Sequence, residues 1–259
     1  MPKKQETAGD TLLTLLPGIT KIISIIGVLA TIIFAILPAT IGTTQQLEGY
    51  TKNPGLIRDY NPVAGKKDSN VTVVEFFDFQ CPGCKGIHPV TQQISQEYKD
   101  EVRFVYKNFP IAALHANAEI SSLSAMAAAK QGKYFEFGDK LFAYQDNPGL
   151  SSRTQEQIAI ELGLDMDQWN KDRKSDEIAK QVKWDIQDGK EAILPVSEGS
   201  TQTTSVDSTP TFVFIKDDKI LYKANGMSAD EFRTKLDKVL GKPAKAEAAP
   251  APTGSATAE

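Results

Sequence analysis

Apolar and polar residues divide this chain into four parts. An uncharged, mostly apolar run covers 22–41, and polar residues with scattered glycine and proline fill 43–67. Residues 68–241 mix apolar and polar positions as globular domains do, and alanine and proline dominate 242–259. The pattern predicts one folded domain at 68–241, with a polar tether before it and a disordered tail after it.

The apolar run at 22–41 has the length of a membrane span, because its 20 residues would extend about 30 Å as a helix. Three lysines precede the run, while Lys52 and Arg58 are the only cations soon after it. This weak positive-inside bias predicts a cytoplasmic segment at 1–21, a transmembrane anchor at 22–42 and an extracytoplasmic domain. A cleaved signal peptide is the alternative, although the run is longer than the usual apolar region of such peptides.

The spacing of apolar positions within the domain predicts an alternation of strands and helices. The predicted elements are a strand (Val71–Phe79), a helix (Cys81–Tyr98), a strand (Val102–Asn108), a helical region (116–190), a hairpin (211–223) and a last helix ending at Gly241. A β-α-β opening and a β-β-α close indicate an α/β fold with a mixed sheet. The helical region would be an insertion at about 112–200.

Capping boxes predict where two of the helices begin. Thr154 with Gln157 forms one such pair, ahead of a helix that Gly163 would end. Ser228 with Glu231 forms the other, at the start of the last helix.

Composition excludes one class of partner. The chain has 259 residues and a formal net charge of -4, and it contains no lysine- and arginine-rich run with interleaved aromatic residues. It therefore has no electrostatic footprint for nucleic acid.

Both cysteines of the chain stand in "CPGC", at the predicted start of the first helix. A separation of three residues places the two sulphurs on one helical face. Pro82 suits the first helical position, so Cys81 would be the N-cap and lie at the positive end of the helix dipole. This environment lowers a cysteine pKa, which predicts Cys81 as the nucleophile and Cys84 as its resolving partner.

A zinc site is the alternative interpretation of this pair. His88 follows Cys84 by four residues, and His115 would be a fourth ligand. Pro89 disfavours helical geometry at His88, and an extracytoplasmic location favours disulfide chemistry. No metal is therefore predicted.

Glu75 lies on the predicted first strand among apolar residues. If that face is buried, the pKa of Glu75 rises and the carboxyl group becomes a possible proton acceptor beneath the cysteines. Two alternatives stay open: the strand is buried on both faces, or Glu75 pairs with Lys107 of the neighbouring strand.

Three stretches together resemble the DsbA-like thiol-disulfide oxidoreductases of the thioredoxin superfamily. They are "FFDFQCPGCKGIHP", "LHANAEISSLSAMAAAKQGKYFEFGDKLFAYQ" and "VDSTPTFVF". The similarity covers about Val71 to Leu240, and the motifs occur in the family's order. It implies a thioredoxin-like fold with an inserted helical subdomain, preceded here by the predicted transmembrane helix.

The resemblance also implies roles for particular residues. Cys81 would be the exposed attacking cysteine, Cys84 its buried partner, and Pro210 a cis-proline that faces the pair. The backbone of Thr209 would bind an extended substrate segment. Glu75 matches the buried acid of the family, and His115, which resembles the histidine opening the helical insertion, is interpreted as a helix-start residue.

The chain departs from the family pattern in two places. Gly83 stands where the best-known oxidant of the family has a histidine, so an intermediate redox poise is expected. Pro82 and Gly83 are nevertheless predicted to contact substrate with Thr209. The segment "SEGSTQTTSVDS" before Thr209 is longer and more polar than the short turn typical of the family.

The implied function is the introduction of disulfide bonds into translocated proteins, with the Cys81–Cys84 disulfide in place of a cofactor. Expected partners are reduced substrate proteins and a quinone-linked membrane reoxidant of the DsbB or vitamin-K-epoxide-reductase type. The protein would be a single-pass cell-membrane protein and a monomer. Two alternatives remain: a reductase or isomerase on the same fold, and a non-catalytic metal-binding module that uses Cys81, Cys84 and His88.

Overall fold

The computed structural model describes residues 56–243, in which strands and helices alternate around one mixed sheet. The strands are β1 (Val63–Gly65), β2 (Val71–Phe77), β3 (Arg103–Asn108), β4 (Leu194–Pro195), β5 (Thr203–Thr204), β6 (Thr211–Lys216) and β7 (Lys219–Ala224). The helices are α1 (Pro82–Glu97), α2 (Ala118–Ala129), α3 (Tyr134–Tyr144), α4 (Ser152–Glu161), α5 (Met166–Asp172), α6 (Asp176–Glu191) and α7 (Ala229–Leu240).

The central sheet has the strand order β1-β3-β2-β6-β7. Strand β2 runs parallel to β3, and the pairs β1–β3, β2–β6 and β6–β7 are antiparallel. This arrangement confirms the predicted α/β fold with a mixed sheet. All seven residues of β2 are buried, as expected for a central strand covered on both faces.

Helices pack against both faces of the sheet. On one face, Ile94 of α1 and Phe232 of α7 join a buried cluster with Val73 and Phe212. On the other face, Phe76 belongs to a cluster that also includes Phe109 and Leu194. The aromatic and branched residues of β2 therefore pack into two buried clusters, one on each face of the sheet. This explains why the apolar run of β2 is nearly continuous.

The predicted helical insertion is present between β3 and β4 and consists of α2 to α6. Its core includes the fully buried side chains of Phe137, Leu141 and Trp169. Phe79, next to the cysteines, belongs to the same cluster, and its ring lies 5.3 Å from that of Phe142. The insertion thus packs directly against the start of α1.

One of the two predicted capping boxes is confirmed. The Ser228 hydroxyl accepts from the backbone N–H of Glu231, whose side chain reaches back to the Ser228 N–H, and Gly241 ends α7 in the left-handed region. The box predicted at Thr154 is wrong. Ser151 is the N-cap of α4, because its hydroxyl accepts a hydrogen bond from the backbone N–H of Thr154.

The prediction of a tether at 43–67 is wrong for residues 56–67, which belong to the domain. Leu56 is only 1% exposed and packs in the core beside Phe76. Strand β1 adds to the edge of the sheet by pairing with β3. The sequence did not reveal that residues 56–67 belong to the domain, because single apolar side chains and a three-residue strand produce little periodic signal.

A buried network of charges attaches α6 to the sheet. Lys107 of β3 is fully buried, and its Nζ lies 2.9 Å from Asp185 and 2.8 Å from Asp188. Arg58 donates two hydrogen bonds to the Asp188 carboxylate, at 2.6 and 2.7 Å, and Asn61 donates to Asp185. The network joins the segment before β1, the sheet and α6.

Several predicted segments lie outside the described residues. They are the N-terminal segment at 1–21, the anchor at 22–42, the first part of the tether and the tail from residue 244 onward. Within residues 56–243, no helix combines the length and apolar character needed to cross a membrane.

Candidate active site

Cys81 caps α1 as predicted, with Pro82 in the first helical turn. Its backbone is extended (φ -74°, ψ 123°), and its carbonyl accepts a hydrogen bond from the Lys85 N–H. The Cys81 thiol is 9% exposed and lies 3.4 Å from the carbonyl oxygen of Thr209. Cys81 is the more exposed of the two cysteines.

Hydrogen bonds to its sulphur lower the pKa of Cys81 to about 5. The Cys84 thiol makes the largest contribution, and the backbone N–H groups of Gly83 and Cys84 add to it, against the opposing effect of burial. Donors at a helix N-terminus favour thiolate over thiol in this way. Cys81 is therefore a thiolate at neutral pH.

Cys84 has the opposite character. It is 1% exposed, and burial, followed by the hydrogen bond to Cys81, raises its pKa well above the ordinary thiol value. The backbone N–H of Asp78 points at its sulphur from 3.4 Å. Both cysteines are free thiols, so the structure represents the reduced pair.

The loop before β6 faces the cysteines. The Thr209–Pro210 peptide bond is cis, as the resemblance implied. A Cβ atom placed on Gly83 would lie 3.4 Å from Pro210 Cδ and 3.6 Å from the Cys81 sulphur. Gly83, Thr209 and Pro210 therefore border the Cys81 thiol, whereas Pro82 is exposed beside it. The polar segment before this loop forms the β4–β5 pair.

Glu75 lies on β2 under the start of α1, as predicted. Burial raises its pKa to about 8, and its charge in turn raises the pKa of Cys84. A small cavity beside Glu75, lined also by Thr91 and Tyr106, has space for about one water molecule. The alternative in which Glu75 pairs with Lys107 is wrong, because Lys107 lies one residue beyond the register partner of Glu75 and binds Asp185 and Asp188.

Each of the two histidines contacts an aspartate. Although Pro89 was expected to disfavour helical geometry at His88, α1 continues through both residues. His88 Nε2 lies 2.9 Å from Asp139, and its ring packs on Phe142. Among the described residues, no three histidine, cysteine or acidic side chains cluster as metal ligands would.

His115 does more than mark a helix start. Its Nδ1 lies 2.7 Å from the carboxylate of Asp78, which is fully buried. Sequence reasoning missed Asp78, although an acidic residue inside the apolar stretch "FFDFQC" is a detectable signal. It also missed Gln145 of the insertion, which donates to the carbonyls of Phe79 and Cys81.

Comparison with known proteins places the chain in a family. The family model described as Thioredoxin matches residues 58–238. Curated relatives include the Na(+)/H(+) antiporter NhaA 1 of Mycobacterium sp. (strain KMS), 28% identical over 163 residues that cover 61% of this chain and 24% of the relative. NhaA 3 of Salinispora tropica is 30% identical over 154 residues, or 60% and 21% of the two chains. The chain thus spans less than a quarter of the length of these relatives.

Solved structures share the fold at low sequence identity. A thioredoxin-like oxidoreductase from Silicibacter pomeroyi has a TM-score of 0.58 at 24% identity, over 75% of this chain and 100% of that one. The thiol-disulfide exchange protein alpha-DsbA2 of Wolbachia pipientis has a TM-score of 0.57 at 21% identity, over 71% of this chain and 90% of that one. Oxidised BdbD of Bacillus subtilis has a TM-score of 0.56 at 22% identity, over 70% of this chain and 94% of that one. With a matched family model and DsbA-type exchange proteins among its structural neighbours, the chain belongs to the thioredoxin family.

Proposed function

We propose that this protein is a thiol-disulfide oxidoreductase that transfers the Cys81–Cys84 disulfide to reduced substrate proteins. The observation that carries the proposal is the asymmetry of the pair. Cys81 is the more exposed cysteine, at 9% against 1%, and its pKa is lowered, whereas the pKa of Cys84 is raised. One cysteine is thus suited to exchange with substrate and the other to resolve the intermediate within the protein.

The transfer takes two exchange steps. A substrate thiolate attacks the Cys81 sulphur of the oxidised pair, forming a mixed disulfide while the Cys81–Cys84 bond breaks and Cys84 leaves as a thiolate. A second substrate thiolate then attacks the substrate sulphur of the mixed disulfide and releases Cys81 as a thiolate. The substrate loses two electrons and becomes a disulfide, and the protein gains them as its reduced pair.

The lowered pKa of Cys81 supports the oxidising direction, since stabilising the reduced thiolate makes the disulfide a better oxidant. A reductase or isomerase is the second candidate. It is favoured by Gly83, which supplies no imidazolium beside Cys81. A non-catalytic metal-binding module receives no support from the described residues, because His88 is engaged by Asp139.

The proposed setting is outside the cytoplasm, behind a membrane anchor at 22–42. The uncharged run at 22–41 supports the anchor. Two curated relatives are named Na(+)/H(+) antiporters, and similarity to a part of such proteins supports placing this domain at a membrane. A quinone-linked membrane partner would reoxidise the pair, and the protein would act as a monomer.

The proposal is tested by mixing the oxidised full-length chain with a reduced, unfolded test protein that contains two cysteines. We expect disulfides to form in the test protein as the Cys81–Cys84 pair becomes reduced. If the reduced chain instead removes disulfides from the oxidised test protein and the oxidised chain transfers none, the direction of electron flow is the reverse of that proposed. If neither form exchanges, the proposed activity is wrong.

Glu75 is proposed to protonate the Cys84 thiolate as it leaves, since the Glu75 carboxyl group interacts electrostatically with Cys84. Because its pKa is about 8, Glu75 carries a proton below that pH and has none to donate above it. We expect Glu75→Gln to slow reduction of the oxidised pair by about 100-fold at pH 6–7, the low end of general acid catalysis. Above pH 9 the two proteins should react at similar rates.

The measurement for Glu75 is the rate constant for reduction of the pair by a small thiol, corrected for its thiolate concentration, from pH 5 to 10. The wild-type profile should bend near pH 8, and the Glu75→Gln profile should lack that bend. Identical profiles would exclude the proton-transfer role. Thr72→Val is a matched control, since Thr72 is a buried polar residue of the same strand whose hydroxyl binds Arg103 and not the cysteines.

A further inference from the structure

Asp78 connects the cysteine pair to the helical insertion. Its backbone N–H faces the Cys84 sulphur at 3.4 Å, and its carbonyl accepts the Cys81 N–H at 3.1 Å. Its fully buried carboxylate accepts from the backbone N–H of Ile111 at 2.8 Å and contacts His115 Nδ1 at 2.7 Å. One residue therefore contacts both cysteines with its backbone and the loop before α2 with its side chain.

His115 supplies the imidazole that contacts this carboxylate. Among residues 56–243, no lysine or arginine lies within ion-pair distance of Asp78, and the carboxylate is fully buried. A carboxylate accepts hydrogen bonds, so Nδ1 of His115 carries the proton between them. The imidazole is 17% exposed and lies in the loop before α2. The backbone N–H of Gln80 also donates to the Asp78 carboxylate, at 2.7 Å. Asp78 is thus held both from the cysteine loop and from the loop before α2.

The Asp78 N–H lies at the atom on which negative charge develops during exchange, the Cys84 sulphur. When a thiolate attacks Cys81, Cys84 is expelled as a thiolate into a site where it is 1% exposed to solvent. The hydrogen bond from Asp78 favours this thiolate against the effect of burial. A leaving thiolate that is better stabilised leaves faster.

We infer that Asp78 and His115 form a positioning pair that holds the Asp78 N–H against the Cys84 sulphur and so accelerates the departure of Cys84 during exchange. The inference rests on the proposed thiol-disulfide exchange. In this proposal His115 contacts Asp78, and it acts on the cysteines only through that residue. Its contribution is to the rate of Cys84 departure and, because the contact is present in the reduced protein, to the stability of the reduced pair.

The test compares His115→Leu and His115→Asn in the full-length chain, with glutathione as the small thiol. Glutathione thiolate attacks Cys81 of the oxidised pair, and a second glutathione releases glutathione disulfide and leaves the pair reduced. We expect His115→Leu to lower the rate constant for the first step by about 3- to 10-fold, the loss of roughly one hydrogen bond. His115→Asn should recover most of that rate, because its side-chain amide can donate from about the position of Nδ1.

The equilibrium constant with glutathione distinguishes positioning from general loosening. In His115→Leu we expect it to shift towards the oxidised pair by no more than the fall in rate, because the Asp78 N–H contacts the Cys84 sulphur in the reduced protein. In His115→Asn it should stay within about twofold of wild type. Loss of packing alone would expose the disulfide and speed the attack, so a faster reaction in His115→Leu would overturn the inference. Equal rates in wild type and His115→Leu would also overturn it.

Leu114→Ala is the matched control, since Leu114 lies on the same loop, is 75% exposed and makes no contact with Asp78. It should react at the wild-type rate. If the wild-type chain shows no exchange with glutathione, the proposed function itself fails. If wild type exchanges and the His115 variants match it, only the positioning role fails.

Discussion

Replacing Cys81 with serine is expected to reduce disulfide transfer to the rate of the uncatalysed reaction. Serine has no accessible anion at neutral pH, and it cannot form the disulfide that carries the two electrons. The thiolate that the structure stabilises at the N-terminus of α1, with a pKa of about 5, is lost together with the bond. The assay is oxidation of a reduced, unfolded test protein by the full-length chain.

Cys84→Ser is the informative counterpart, because it removes the buried partner and keeps the accessible thiol. The variant should still react once with glutathione disulfide and retain the glutathione on Cys81, as a mass shift of the intact protein. Its Cys81 pKa should rise, since the Cys84 thiol makes the largest contribution to lowering it. Substantial transfer by Cys81→Ser would exclude the assigned order of attack.

Replacing Lys107 with methionine is expected to lower the free energy of unfolding by about 3–5 kcal/mol. Lys107 is fully buried between Asp185 and Asp188, and Arg58 also binds Asp188. Methionine fills a similar volume and removes the positive charge. Arg58 then remains to pair with Asp188, and the ion pair of Asp185 with Lys107 is lost. The measurement is urea-induced unfolding of the reduced protein, followed by far-UV circular dichroism.

Lys133→Met is the matched control for that loss of charge. Lys133 pairs with Glu136 on the surface of α3 at 2.9 Å, and its side chain is 43% exposed. An exposed pair of this kind contributes less than about 1 kcal/mol. Equal losses in the two variants would mean that the buried network is not what attaches α6 to the sheet.

The central part of the fold was predictable because its signals are local. Buried strands, the cysteine N-cap with Pro82, and the Asp217–Asp218 turn with positive φ at both residues follow from short stretches of sequence. The Ser228 capping box is predictable for the same reason, since its two partners are three residues apart.

The missed features depend on contacts between distant residues. The Asp78–His115 contact joins positions separated by 37 residues, and Arg58 meets Asp188 across 130. The edge strand β1 has only three residues, and its pairing with β3 is what places it in the domain. The sequence left a Glu75–Lys107 pair open as an alternative, and only the register of β2 and β3, which sets Glu75 opposite Tyr106, excludes it.

The central claim is that Cys81 and Cys84 form a reversible disulfide of oxidising character. The most direct test equilibrates the full-length chain with glutathione buffers of graded ratio, traps the thiols by alkylation and reads the oxidised fraction by mass. We predict a single two-electron transition at a potential between the strong oxidant DsbA, about -120 mV, and thioredoxin, about -270 mV, on the oxidising side of that interval. A potential at or below that of thioredoxin, or cysteines that stay reduced at every glutathione ratio, would contradict it.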